Sequence, residues 1–173
     1  MREDFRFQCA YCNISEGYRK GSDVFGIDHF RPKALFPDLE LTYKNLYYCC
    51  AICNSVKGQR FPNAAMIANG TCFLDPCAVD PFAGDCREQG DGHLTGISPS
   101  GGFTIEAISL NRGECVLIRR RRLRTAERIR ALWSEIAQLS PGQSGRLLAE
   151  RDLNDAQADW DECYGSYPRS PAK

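Results

Sequence analysis

Apolar positions between residues 24 and 58 come in short runs separated by breakers, whereas those after residue 111 recur with helical spacing. Val24, Phe25, Gly26 and Ile27 form a β-prone run that leads into Asp28 and His29. Pro32 ends that strand, because proline cannot donate to a ladder and stiffens the exit. Residues 30–44, with Pro32 and Pro37 as breakers, read as a loop. Residues 46–49 read as a second strand, and 51–56 as a helix closed by Gly58 at its C-terminal cap. Before this segment, the polar stretch 13–23 reads as loop or short helix. Beyond it, 59–102 has little pattern: Phe73-Leu74 reads as a short buried piece before a turn at Asp75-Pro76, and 79–92 as loop. Residues 103–108 alternate and predict a strand, with Gly101-Gly102 as the turn and 93–97 as its hairpin partner. Asn111 predicts an N-cap, with Glu114 completing a capping box. A long helix follows to about Leu139, with Val116, Leu123, Ala126, Ile129, Trp133 and Ile136 on one face. Pro141-Gly142 breaks it, and a shorter helix starts at Ser144 with Leu147, Leu148 and Leu153 inward. The Ser/Pro-rich tail, 165–173, is expected to be disordered.

This pattern predicts an α+β chain in three parts. Residues 1–62 form a strand–loop–strand–helix core, 63–164 a mixed hairpin and helical extension packed on it, and 165–173 the tail. Apolar residues make up 43% of the 173, enough for a core, and 22 basic residues balance 22 acidic ones. A nucleic-acid enzyme needs a basic face but not a basic total. The start, Met1-Arg-Glu-Asp, has no signal-peptide character, and no apolar run approaches the ~18 residues of a membrane span. The expectation is a cytoplasmic protein that does not enter a membrane.

The ten cysteines narrow the chemistry. Cys9 and Cys12 form one CxxC pair, and Cys50 and Cys53 another. Four thiolates in two such knuckles suit tetrahedral zinc better than disulfides do in a chain of this kind. Cys49, next to Cys50, is ambiguous as a ligand, though only Cys50 keeps the two-residue spacing to Cys53, and Cys72, Cys77, Cys86, Cys115 and Cys163 read as small hydrophobes. The gap between the pairs is longer than in a zinc ribbon and contains Asp28, His29 and Asn45. Of the two histidines, His93, alone between Gly92 and Leu94, reads as a surface or packing residue.

The sequence Asp28-His29-x-x-Pro32, then Asn45-Leu46, then Cys50-x-x-Cys53-Asn54-x-x-Lys57 resembles the HNH endonucleases, of the subclass with a four-cysteine zinc site. The likeness covers about residues 9–62. It departs at Asn54, where the family name often has His; an amide oxygen suits a hard cation and favours Mg²⁺ over a transition metal. The resemblance implies a ββα-metal core with a structural Zn²⁺ on Cys9, Cys12, Cys50 and Cys53. It implies a catalytic Mg²⁺, with Mn²⁺ as an alternative, held by Asp28 and Asn54. His29 would be the general base, its near-neutral pKa suiting proton abstraction, with Asn45 fixing the loop and the imidazole. Lys57 would contact phosphate. Small proteins of this kind also resemble nuclease components of Septu-type antiphage systems, which work with an ATPase partner.

The long helix carries Arg119, Arg120, Arg121 and Arg122 in succession. They read either as a solvated face or as a phosphate-contacting surface, with Arg119, Arg121 and Arg122 as the nucleic-acid contacts. The expected function is hydrolysis of phosphodiester bonds in nucleic acid, with DNA foremost. The alternative is a zinc-stabilised nucleic-acid-binding module without cleavage, which has no need of Asp28, His29 and Asn54.

Overall fold

A computed structural model of the chain describes residues 1–77 and 84–164. The expected tail lies outside the described residues, as does the start of the loop expected at 79–92. The elements run α1 (Glu16–Arg19), β1 (Phe25–His29), β2 (Leu46–Cys50), α2 (Ala51–Lys57), α3 (Ala64–Ala68), β3 (Cys86–Glu88), β4 (Leu94–Gly96), α4 (Pro99–Ala107), α5 (Gly113–Gln138) and α6 (Ser144–Tyr164). The class is α+β, with two small antiparallel sheets, β1-β2 and β3-β4. None of the helices is long and apolar enough to cross a membrane among the described residues.

The β1-β2 hairpin sets the frame. Its register pairs Phe25 with Cys50, Ile27 with Tyr48 and His29 with Leu46. Side chains alternate across a strand, and here Asp28 turns inward while Ile27 is half exposed. The loop between the strands carries two short 3-10 turns, Pro37–Leu39 and Tyr43–Asn45. β2 runs directly into α2, and Gly58 caps that helix through its N–H to the Asn54 carbonyl.

One core joins the hairpin to the segments after α2. Phe30 stacks on Tyr47 at 5.0 Å and meets Phe73 edge-on at 5.6 Å. Phe73 in turn meets Phe103 of α4 at 5.8 Å. Ile105, Ile108 and Leu110 lie in the same cluster as Cys9, Cys50 and Cys53. A second core lies between α5 and α6, around Ile129, Ile136, Ala149, Leu153 and Ala156.

The strand expected at 103–108 is helix. Ser98 caps α4 by accepting from the Gly101 N–H, and Pro99 sits in the first turn, where its missing N–H costs nothing. Thr104 accepts from the Leu74 N–H and Ser100 from the Cys72 N–H, which ties the helix to the strandless segment beside it. The two glycines are not a hairpin turn. A Cβ on Gly101 would collide with the Asp85 carbonyl, and Gly96 of β4 crosses Gly102 with no room for a side chain on Gly96. β4 pairs with β3 instead: Cys86 faces Gly96 and Glu88 faces Leu94.

Two further expectations shift by a few residues. Arg112, not Asn111, is the N-cap residue of α5, and it makes no side-chain cap. Asn111 instead clips Leu94, accepting from its N–H and donating to its carbonyl, each at 2.8 Å. The inward face of α6 is Ala149, Leu153 and Ala156, while Leu147 and Leu148 are exposed. At 21 residues that helix is shorter than α5, which has 26.

The arginines of α5 separate by environment. Arg119 is only 8% exposed. It donates to the Gly92 carbonyl at 2.6 Å, the Leu110 carbonyl at 2.7 Å and the Asn111 Oδ1 at 3.3 Å. Gly92 (φ +87°) must be glycine there, since a Cβ would lie 2.5 Å from the Val116 carbonyl. Arg119 therefore locks β4 and its preceding turn to α5. Arg119→Met leaves buried acceptors without a donor and should lower stability by about 2–4 kcal/mol. The exposed Arg124→Gln should stay within ~0.5 kcal/mol. Urea denaturation of the two variants measures the difference; equal losses would contradict this role.

Candidate metal centre and groove

The four cysteines of the two CxxC pairs converge. Their sulfurs all lie within 4.8 Å of one another, with Cys12 and Cys50 at 3.9 Å. Zinc–sulfur bonds of about 2.3 Å in a tetrahedron put sulfurs about 3.8 Å apart, so the group can hold a metal ion such as zinc. Local structure explains the convergence. The first knuckle is pinned to β2 by the Ala10 N–H to the Tyr48 carbonyl at 2.9 Å. The second straddles the β2-α2 junction, where the Cys53 N–H points at the Cys50 Sγ. Hydrogen bonds from the neighbouring thiols, Cys115 first, hold Cys12 well below the ordinary thiol range, and burial pushes Cys9 well above it. All ten cysteines are free, and no other group of three or more His, Cys, Asp or Glu side chains converges in this way among the described residues. Cys72 and Cys77 are exposed and stay apart from it.

An open groove of about 450 Å³ lies on the other side of the hairpin, with Asp28, His29, Asn54, Pro32, Lys33 and Glu40 among its lining. His29 Nε2 lies 3.0 Å from the Glu40 carbonyl oxygen. A carbonyl only accepts, so Nε2 carries the proton and Nδ1 is the basic nitrogen. The loop that presents Glu40 is held by Asn45. Its Oδ1 accepts from the Arg31 N–H at 2.8 Å, and its Nδ2 donates to the carbonyls of Arg31 at 3.0 Å and Leu39 at 3.2 Å. Asn45 is buried and is not among the residues lining the groove, so its contacts serve to hold the loop. Asn54 reaches from α2 over β1, its Nδ2 3.4 Å from the Ile27 carbonyl. That donor geometry leaves its Oδ1 as the acceptor on offer.

Asp28 and Lys57 form a buried ion pair at 2.8 Å. Asp28 Oδ2 also accepts from the Tyr11 hydroxyl at 2.5 Å, and Lys57 donates to the His29 carbonyl at 2.7 Å. Burial and the Asp28 carboxylate push the Tyr11 hydroxyl far above its ordinary pKa, so it stays a donor. The side chain of Lys57 is 0% exposed. This corrects its expected role, because a cation with no surface cannot meet phosphate. The Asp28 contacts to Tyr11 and Lys57 both fall on Oδ2 and leave Oδ1 outside them. Of the three arginines expected to bind nucleic acid, Arg119 is buried, whereas Arg121 and Arg122 stay partly exposed while pairing with Asp159 and Glu88.

Three participants escaped the sequence reading. Tyr11 sits at a spacer position of its CxxC pair. Glu40 acts through its backbone, which carries no residue signature. Arg112 donates to Cys53 Sγ at 3.2 Å from a point 59 residues away in sequence. No protein-family model, no curated protein and no solved structure matches the chain.

Lys57→Met strands the buried Asp28 carboxylate and should cost about 3–5 kcal/mol. Adding Asp28→Asn should restore most of the loss, since it removes the charge left behind. Thermal or urea unfolding of the two variants decides it. A stable Lys57→Met single variant would return the lysine to the surface role.

Proposed function

We propose that the chain is a metal-dependent endonuclease of the HNH kind, hydrolysing phosphodiester bonds in nucleic acid with DNA as its first substrate. One observation carries the reading: an imidazole with a fixed Nε2–H and a free Nδ1 shares an open groove with the Asp28 carboxylate and the Asn54 amide. His29 Nδ1 takes a proton from the attacking water. Asn45 holds the Glu40 carbonyl in place, so that the ring presents Nδ1 and not Nε2. Asp28 Oδ1 and Asn54 Oδ1 are hard oxygen donors, too few to enclose an ion, which fits Mg²⁺ retaining most of its waters. When bound, that ion neutralises phosphate charge and stabilises the leaving oxygen. The four thiols fit a structural Zn²⁺, fully ligated and with no position for substrate. The motif resemblance further implies an ATPase partner and a role in antiphage defence, a proposal that rests on the motif alone.

Plasmid, linear duplex, single-stranded DNA and RNA, each with and without Mg²⁺, test the reading. His29→Ala should lower cleavage by roughly 10²-fold or more, with circular dichroism and zinc content unchanged. Equal cleavage by wild type and variant in nuclease-free preparations would overturn it. Binding without cleavage by either would leave a zinc-stabilised nucleic-acid-binding module.

A further inference from the structure

Four thiolates on one zinc ion carry a formal net charge of minus two. Here that charge would be enclosed by the core, since Cys9, Cys50 and Cys53 are at most 1% exposed. Burying charge is costly unless donors or counter-charges meet it. Within the knuckles one such donor is the Cys53 N–H towards Cys50 Sγ. The remaining compensation comes from elsewhere in the chain.

Arg112 stands at the junction of α4 and α5. Its Nη2 donates to Cys53 Sγ at 3.2 Å. Its Nη1 faces the last carbonyls of the α4 end, Ile108 at 3.3 Å and Ser109 at 3.4 Å. Its Nε is buried and has no hydrogen-bond partner. A guanidinium with one N–H unpartnered is a poor choice for merely closing a helix end. It is a good choice beside a buried dianion, where the field of the cluster acts on the whole cation. Cys115, one turn further along α5 and 1% exposed, lies in a buried cluster against which Cys12 packs. The first turn of α5 thus supplies the outer side of the cysteine cluster.

We propose that Arg112 is the counter-ion of the metal–thiolate centre, a positioning residue through which metal binding docks the helical extension onto the hairpin core. The coupling is reciprocal: the metal stabilises the α4-α5 junction, and the junction retains the metal. The inference rests on a metal ion at the four cysteines and is independent of the chemistry in the groove.

The test uses the full chain as wild type, Arg112→Gln and Arg112→Lys. In competition with a chromophoric chelator, Arg112→Gln should lose about 10–100-fold in zinc affinity, the scale for outer-shell partners of a metal site. Arg112→Lys, which keeps the charge but not the planar fork, should lose less. Cobalt substitution gives a readout that a packing role would not move. Removing the cation raises the thiolate electrons in energy, so the sulfur-to-cobalt charge-transfer band should shift to longer wavelength in Arg112→Gln and return towards wild type in Arg112→Lys. If Arg112→Gln does not fold, the lysine variant alone should show a smaller loss of affinity in the same direction. Unchanged affinity and spectrum in the folded variants would overturn the proposal. Wild type holding neither zinc nor cobalt would overturn the metal site itself.

Discussion

Four sulfurs from two stretches some forty residues apart meet within 4.8 Å of one another, and the rest of the structure depends on that closure. The hairpin between them is short, and two strands alone are marginal in water. A metal ion at the cluster would contribute on the order of 10 kcal/mol in sites of this type and close the segment into a unit. It would also fix what the hairpin carries. With the first knuckle pinned to β2, Tyr11 reaches Asp28, and Asp28 holds Lys57. Lys57 then holds the carbonyl of His29 itself. A continuous run of buried polar contacts therefore connects the metal knuckle to the groove.

That run has a cost as well as a use. Lys57 occupies one oxygen of Asp28 and places a positive charge beside the site where a cation would bind. The remaining donors, one carboxylate oxygen and one amide oxygen, would leave the proposed Mg²⁺ to complete its shell with water and substrate phosphate. Rigidity is supplied instead at His29. Its ring is oriented by a backbone carbonyl, and that carbonyl belongs to a loop clipped at three points by Asn45. In the proposed mechanism the base is in place beforehand, while the cation site would be completed on binding.

Sequence reasoning located the hairpin, α2 and the four cysteines because their signals are local: breakers, a C-terminal glycine and two-residue spacings. It failed where partners decide. Residues 103–108 alternate as a strand would, yet Ser100 and Thr104 find backbone donors one helical turn apart, and Gly101 makes room for a crossing chain. Lysine and arginine announce charge but not its destination. Lys57 and Arg119 proved to be buried locks, whereas Arg121 and Arg122 lie on a partly exposed face and pair with acids of other elements, as a solvated face does. Asn111 has the right character for a cap, but Leu94 offered it two backbone groups at once. Tyr11 and Arg112 could be found only once the fold had brought their partners within reach.

His29 is proposed to present Nδ1 as a base to the groove in which Asp28 and Asn54 would hold a cation. The chain has two histidines, and His93, 3.1 Å from Asp91 on an exposed turn, serves as an internal control. Long-range proton–nitrogen NMR correlation of the two imidazoles above neutral pH, with Mn²⁺ added in small steps, tests the claim directly. The expected result is an Nε2–H tautomer for His29, and broadening of its ring signals at Mn²⁺ levels that leave His93 sharp. An Nδ1–H tautomer, or broadening that spares His29 or takes both rings together, would contradict it.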